Sequence, residues 1–181
     1  MSQIDPRIEK VLYTQTELEN KIKELAHWVN ETYKDSKELL LVSLLKGSIP
    51  FLAQLIKDIT VDHALDFMVA SSYNGADKSS GNVKIIMDLN QEIEGKDVLI
   101  VEEIIDSGIT LARIKELLSV RKPKSLKILT LLDKKMNRKY PIEPDMYGFS
   151  VPDEFLVGFG LDYKEKLRNI PYVGVFNKKY L

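Results

Sequence analysis

The sequence predicts an α/β protein built on a mostly parallel sheet with helices on both faces. Two observations carry that reading. Short apolar runs recur along the chain with helical patterns between them, as when crossover helices join parallel strands. Several runs are also continuously apolar rather than alternating, which suits strands buried on both sides. At 181 residues, 44% of them hydrophobic, the chain can fill one core, and residues 1–181 are read as a single domain.

Thr16 with Glu19 has the form of a capping box, and Leu18, Ile22, Leu25, Ala26, Val29 and Tyr33 follow at helical spacing. Leu39 to Val42 reads as a buried strand. Lys46-Gly47-Ser48 then makes a tight loop, and Pro50 suits the first turn of a second helix reaching about Ile56. Further strands are expected at Leu65–Ala70, Val83–Met87, Val98–Val101, Leu126–Leu132, Phe155–Phe159 and Tyr172–Phe176, with a helix over Leu111–Val120. Ser71 to Gly81 has the composition of a mobile loop, either disordered or a functional lid.

Charge and composition narrow the function. With 26 Lys and Arg against 27 Asp and Glu, the net charge of −1 excludes a bulk polyanion binder, so nucleic acid is not an expected partner. The absence of cysteine excludes disulfides, thiolate metal sites and a thiol nucleophile, and two histidines are too few for a His-rich metal site. The longest apolar stretch, Leu39 to Ile56, contains Lys46, Gly47, Pro50 and Gln54, unlike a membrane span, and the opening residues lack a signal-peptide layout. A cytoplasmic protein is expected.

The most informative segment runs from Val98 to Thr110. An apolar strand ends in Glu102 and Glu103, and Asp106-Ser107-Gly108-Ile109-Thr110 opens directly into a helix. Ligands of open α/β sheets bind outside the carboxyl ends of the strands, and amides at a helix N-terminus cradle anions. Gly108 permits close backbone approach, while Ser107 and Thr110 add hydroxyls. Three carboxylates beside a phosphate need other partners, and sugar hydroxyls or a divalent metal fit them, so a phosphorylated sugar satisfies the whole group. The alternative is an acidic strand end with an ordinary N-cap.

This segment resembles the phosphoribosyl-pyrophosphate motif of type I phosphoribosyltransferases. Leu45-Lys46-Gly47, Ser72-Tyr73, Leu132-Asp133-Lys134 and Pro152 to Gly158 extend the resemblance to the hypoxanthine and hypoxanthine-guanine phosphoribosyltransferases, in that family's order and spacing. The resemblance implies that family's fold, with a small hood of chain-terminal segments over the base site. It implies transfer of a phosphoribosyl group from 5-phosphoribosyl 1-pyrophosphate to a 6-oxopurine, with Mg²⁺ as cofactor and a homodimer or homotetramer as the assembly.

It also implies residue roles. Glu102, Glu103, Asp106, Ser107, Gly108, Ile109 and Thr110 would hold the phosphoribosyl group, with Asp106 as acid or base at purine N7. Lys46, Gly47 and Arg168 would bind pyrophosphate, with a cis peptide before the lysine; by composition alone Lys46 is a solvated loop cation. Ser72 and Tyr73 match a loop that closes over the reaction, though composition alone makes them a linker tip. Lys134 would meet the 6-oxo group, Phe155 would stack on the purine and the Leu156 backbone would meet its edge, although an aromatic at a strand start is more often core. Asp162, with Glu102 and Glu103, would serve the metal; Asp162 and Arg168 otherwise read as a surface ion pair. Glu103 departs from the family's usual Asp. His27 and His63 match no catalytic position, and His27 reads as structural.

Two rival readings use the same residues. A nucleotide-responsive regulator, with RNA binding as one form of it, rests on the basic stretch Arg121 to Lys139, which otherwise reads as a solvated face. A magnesium-dependent aspartyl-phosphate domain explains the acidic strand end but neither the Ser107–Thr110 cradle nor Phe155.

Overall fold

A computed structural model describes residues 4–72 and 83–181. The strands are β1 (Ile8–Tyr13), β2 (Leu39–Leu44), β3 (His63–Ser72), β4 (Val83–Met87), β5 (Asp97–Ile105), β6 (Ser125–Asp133), β7 (Met146–Ser150), β8 (Leu156–Val157) and β9 (Val173–Phe176). The α-helices are α1 (Gln15–Tyr33), α2 (Ile49–Leu55) and α3 (Ile109–Ser119).

Six strands form the main sheet in the order β4-β3-β2-β5-β6-β7, parallel except where β4 pairs with β3. Alternation along the buried strands explains its two covered faces. Leu39, Leu41, Leu99, Val101 and Leu129 pack beneath α1 and α2. Their neighbours Leu40, Val42, Val98, Ile100 and Ile128 pack with Leu111, Ile114 and Leu118 of α3 on the other side. A second sheet, β1-β9-β8, is antiparallel and joins the two ends of the chain, as expected for the hood.

The first helix buries the six residues the periodicity selected, but its cap lies earlier than expected. Thr14, not Thr16, is the N-cap: its hydroxyl accepts from the Glu17 amide at 3.3 Å, and the Glu17 carboxylate accepts from the Thr14 amide at 2.8 Å. This register puts Tyr13 before the cap and Leu18 at the fourth helical position, both in one apolar cluster. A start at Thr16 would put Gln15 and Asn20 in those places and forfeit that apolar staple.

Three other expectations shift. β5 continues through Glu102 and Glu103 to Ile105, held by β6 up to the Ile105–Asp133 pairing, while its pairing with β2 ends at Ser43–Val101. The carboxylates therefore project from a strand whose β2 side has opened. The run expected over Phe155–Phe159 shrinks to Leu156–Val157, because Gly158, Phe159 and Gly160 have φ of 93°, 47° and 99° and turn the chain away. Of the loop expected over Ser71–Gly81, Ser71 and Ser72 instead complete β3, and the rest, Tyr73 included, lies outside the described residues. β1 and β7 had no counterpart in the sequence reading.

Candidate active site

The open end of the main sheet holds a cleft of about 560 Å³. Lys46 and Gly47 line it from the loop after β2, Glu102 and Glu103 from β5, and Asp106 to Gly108 with Thr110 from the turn into α3. Asp162 and Arg168 reach it from the loop after β8. Segments more than a hundred residues apart thus converge where a parallel sheet binds ligands.

Gly108 is the N-cap of α3 with φ 78°, and a methyl group there would lie 2.6 Å from Cγ2 of Ile142. Glycine answers both constraints. Ile109 is the first residue of α3, and its amide meets the Ser107 hydroxyl at 3.5 Å. The helix N-terminus faces the cleft through Ser107, Gly108 and Thr110, the arrangement of an anion cradle.

The acidic pair is electrostatically strained. Burial, and then the adjacent Glu103 carboxylate, push the Glu102 carboxyl well above the usual carboxylate range. Oε2 of Glu103 is buried without a hydrogen-bond partner among the described residues. Its Oε1 lies so close to Gly47 that a Cβ there would be 1.8 Å away and would push the Glu103 carboxylate aside. A methyl on Gly160 would likewise lie 1.9 Å from the Gly47 carbonyl oxygen. The peptide between Leu45 and Lys46 is cis, as the resemblance implied.

Asp162 and Arg168 form a half-buried ion pair at 2.9 Å. Arg168 also meets Glu165 at 3.1 Å, and Glu165 meets Lys46 at 2.7 Å. Glu165, which sequence reasoning did not select, joins both expected pyrophosphate cations.

The expected purine-contacting residues lie beside the cleft rather than in its lining. Lys134 has a buried stem, and its ammonium donates to the Glu154 carbonyl at 2.9 Å, 3.3 Å from Asp153 Oδ1 and 3.8 Å from Asp106 Oδ2. Phe155 is 44% exposed, its ring set edge-on against Tyr163 and Phe176. It is therefore not the core residue that composition favours, and it leaves aromatic surface free. Leu156 is buried and paired with Val175, so backbone geometry is its main contribution near the site.

Arg138 departs from the solvated face expected of it. Its side chain is 9% exposed; it donates to the buried Asp133 carboxylate, and its Nε donates to the Asp106 carbonyl at 3.1 Å. The Lys139 amide donates to the Ser107 carbonyl at 2.9 Å, fastening this segment to the cradle turn. The remaining cations of that stretch mostly face acids: Arg121 meets Asp88, Lys124 meets Asp97 and Lys127 meets Asp145. Such pairing offsets part of the positive charge of this stretch. Among the described residues no helix is long and apolar enough to cross a membrane.

Comparison with known proteins agrees with this geometry. A family model described as a phosphoribosyl transferase domain matches residues 10–164. A hypoxanthine-guanine phosphoribosyltransferase from Bacillus subtilis is 52% identical over 168 residues, covering 93% of each chain. A solved hypoxanthine phosphoribosyltransferase from Staphylococcus aureus is 46% identical with a TM-score of 0.92, over 96% of this chain and 94% of that one. The Trypanosoma cruzi hypoxanthine phosphoribosyltransferase, solved in complex with the product IMP, is 34% identical with a TM-score of 0.93, over 99% of this chain and 100% of that one. With sequence, fold and cleft all in accord, the chain belongs to the type I phosphoribosyltransferase family, in its group of hypoxanthine and hypoxanthine-guanine phosphoribosyltransferases.

Proposed function

We propose that this chain transfers the phosphoribosyl group of 5-phosphoribosyl 1-pyrophosphate to a 6-oxopurine, giving the nucleoside 5'-monophosphate and pyrophosphate. The observation that carries the reading is the meeting in one cleft of the α3 cradle, the acidic pair and the cations Lys46 and Arg168, with the Lys134 ammonium just behind Asp106. Relatives named for hypoxanthine and guanine support the substrate class.

In this reading the α3 amides, Ser107 and Thr110 bind the 5'-phosphate, while Glu102 and Glu103 accept hydrogen bonds from the ribose hydroxyls. Lys46 and Arg168 stabilise charge on the departing pyrophosphate as the bond to C1 loosens toward an oxocarbenium-like sugar. Lys134 donates to the 6-oxo group and Phe155 offers its exposed face to the purine ring. The base attacks through N9, and Asp106, 49% exposed at the mouth of the cradle, takes the proton from N7.

The donor set also fits Mg²⁺. Glu103 has a buried oxygen without a partner among the described residues and Glu102 is destabilised as a second anion beside it, so hard oxygen ligands are present in need of positive charge. Glu102, Glu103 and Asp162 are the residues that would hold the ion, which when bound neutralises charge on the pyrophosphate oxygens. Among the described residues no three His, Cys, Asp or Glu side chains are grouped to hold a metal ion by themselves, so substrate oxygens would have to complete the coordination. A homodimer or homotetramer in the cytoplasm belongs to the same reading, supported by the resemblance.

Asp106→Asn tests the chemistry. Turnover should fall by roughly 10²- to 10⁴-fold while phosphoribosyl pyrophosphate binding holds. Near-parental turnover removes Asp106 from the mechanism.

A further inference from the structure

Glu165 is placed unlike an ordinary surface glutamate. Its two carboxylate oxygens take one cation each: Oε2 meets Lys46 at 2.7 Å, and Oε1 meets Arg168 at 3.1 Å. Lys46 comes from the loop after β2, 119 residues earlier in the chain, so the carboxylate closes a bridge across the cleft rather than pairing along its own segment. Glu165 lies at the tip of a two-residue antiparallel turn. Glu165 has φ 64° and its neighbour Lys164 has φ 49°, left-handed conformations that side-chain-bearing residues seldom adopt. The Glu165 amide donates to Asp162 Oδ2 at 2.9 Å, and Tyr163 bridges to Lys166 across the turn.

The turn that carries it is anchored by Tyr163 and Leu167 in an apolar cluster, but the Glu165 side chain takes no part in that packing. The Glu165 side chain is 63% exposed and lies in none of the apolar clusters, and an exposed ion pair contributes little to folding. What it does is offset the charge of Lys46 and share Arg168 with Asp162, at the two cations that face the cleft from the pyrophosphate side.

We propose that Glu165 is an internal counter-anion for the pyrophosphate subsite, holding Lys46 and Arg168 until a pyrophosphate group displaces it and reclaiming them as pyrophosphate leaves. This rests on the reading of Lys46 and Arg168 as the pyrophosphate-binding cations. A pyrophosphate group carries more charge and more acceptor oxygens than one carboxylate, so it wins the exchange, but its affinity is reduced by the stability of the contacts it breaks. The same factor applies to phosphoribosyl pyrophosphate and to free pyrophosphate, and it leaves the purine untouched. Glu165 thereby trades substrate affinity for easier product release.

The test compares Glu165→Gln, Lys46→Ala and the parent, each as the full chain at fixed Mg²⁺, by calorimetric titration with inorganic pyrophosphate and by steady-state kinetics. The amide keeps the shape and removes the charge. Glu165→Gln should tighten pyrophosphate binding and lower KM for phosphoribosyl pyrophosphate, each by roughly 2- to 10-fold, with KM for hypoxanthine and the melting temperature unchanged. A merely structural role would weaken binding or stability instead. If Lys46→Ala weakens pyrophosphate binding while Glu165→Gln leaves it unchanged or weaker, the counter-anion is overturned and the cation assignment stands. If Lys46→Ala has no effect on pyrophosphate, the cation assignment falls and the counter-anion falls with it.

Discussion

Lys134 gains its place from where its strand stops. Asp133 is fully buried, so the next residue keeps its stem in the protein while its ammonium emerges beside Asp106 and Asp153. Lys134→Gln replaces a charge-assisted donor with a weaker neutral one, and KM for hypoxanthine should rise by roughly 10- to 100-fold with KM for phosphoribosyl pyrophosphate nearly unchanged. Steady-state kinetics with each substrate varied in turn checks this, and a change confined to phosphoribosyl pyrophosphate would place Lys134 elsewhere. Residues that follow an apolar strand, such as Lys134 and Asp106, are legible in the sequence because the strand end is. Glu165 and Arg138 are not, because what distinguishes them is which distant segment they touch. Arg138 looks like one more surface cation until Asp133 and the Asp106 carbonyl are seen around it.

Elements built on strict periodicity were the most legible. The buried face of α1 and the central strands β2, β5 and β6 follow directly from apolar spacing. β7 is not legible in the sequence because Gly148 lies in its middle, where a Cβ would come within 2.7 Å of the Leu131 carbonyl oxygen; the glycine that permits this approach also looks like a turn. Nor is β1, because Glu9 and Lys10 break its apolar pattern, leaving it to be stabilised by β9. At the far end of β5, Asp97 ties three elements together, accepting from Ser36 after α1, from Ser125 at the start of β6 and from Lys124. Burial opposes its ionisation, but the hydrogen bonds from Lys124, Ser36 and Ser125 outweigh it and hold its carboxyl below the usual range. A depressed carboxyl stabilises the fold above the ordinary range and loses that contribution as pH falls through its folded value. Asp97→Asn should cost about 1–2 kcal/mol at pH 7, with the deficit shrinking as pH drops below about 4. Urea titrations at both pH values measure it, and a deficit independent of pH would assign the loss to packing.

Across the whole molecule, the hood and the main sheet share material. Leu156, Val173 and Val175 belong to the same cluster as α1 and the central strands, so the segments carrying Phe155, Asp162 and Arg168 are anchored to the sheet that carries Glu102, Glu103 and Asp106. The segments proposed to meet the purine and those proposed to hold the phosphoribosyl group are thus positioned by one core. Initial rates of nucleotide formation with phosphoribosyl pyrophosphate, Mg²⁺ and either hypoxanthine, guanine or adenine test this most directly. Hypoxanthine should give IMP and pyrophosphate in equal amounts, with adenine slower by roughly 10²-fold or more because its amino group presents no acceptor to Lys134. Turnover of adenine as fast as hypoxanthine, or of no purine at all, would contradict the account.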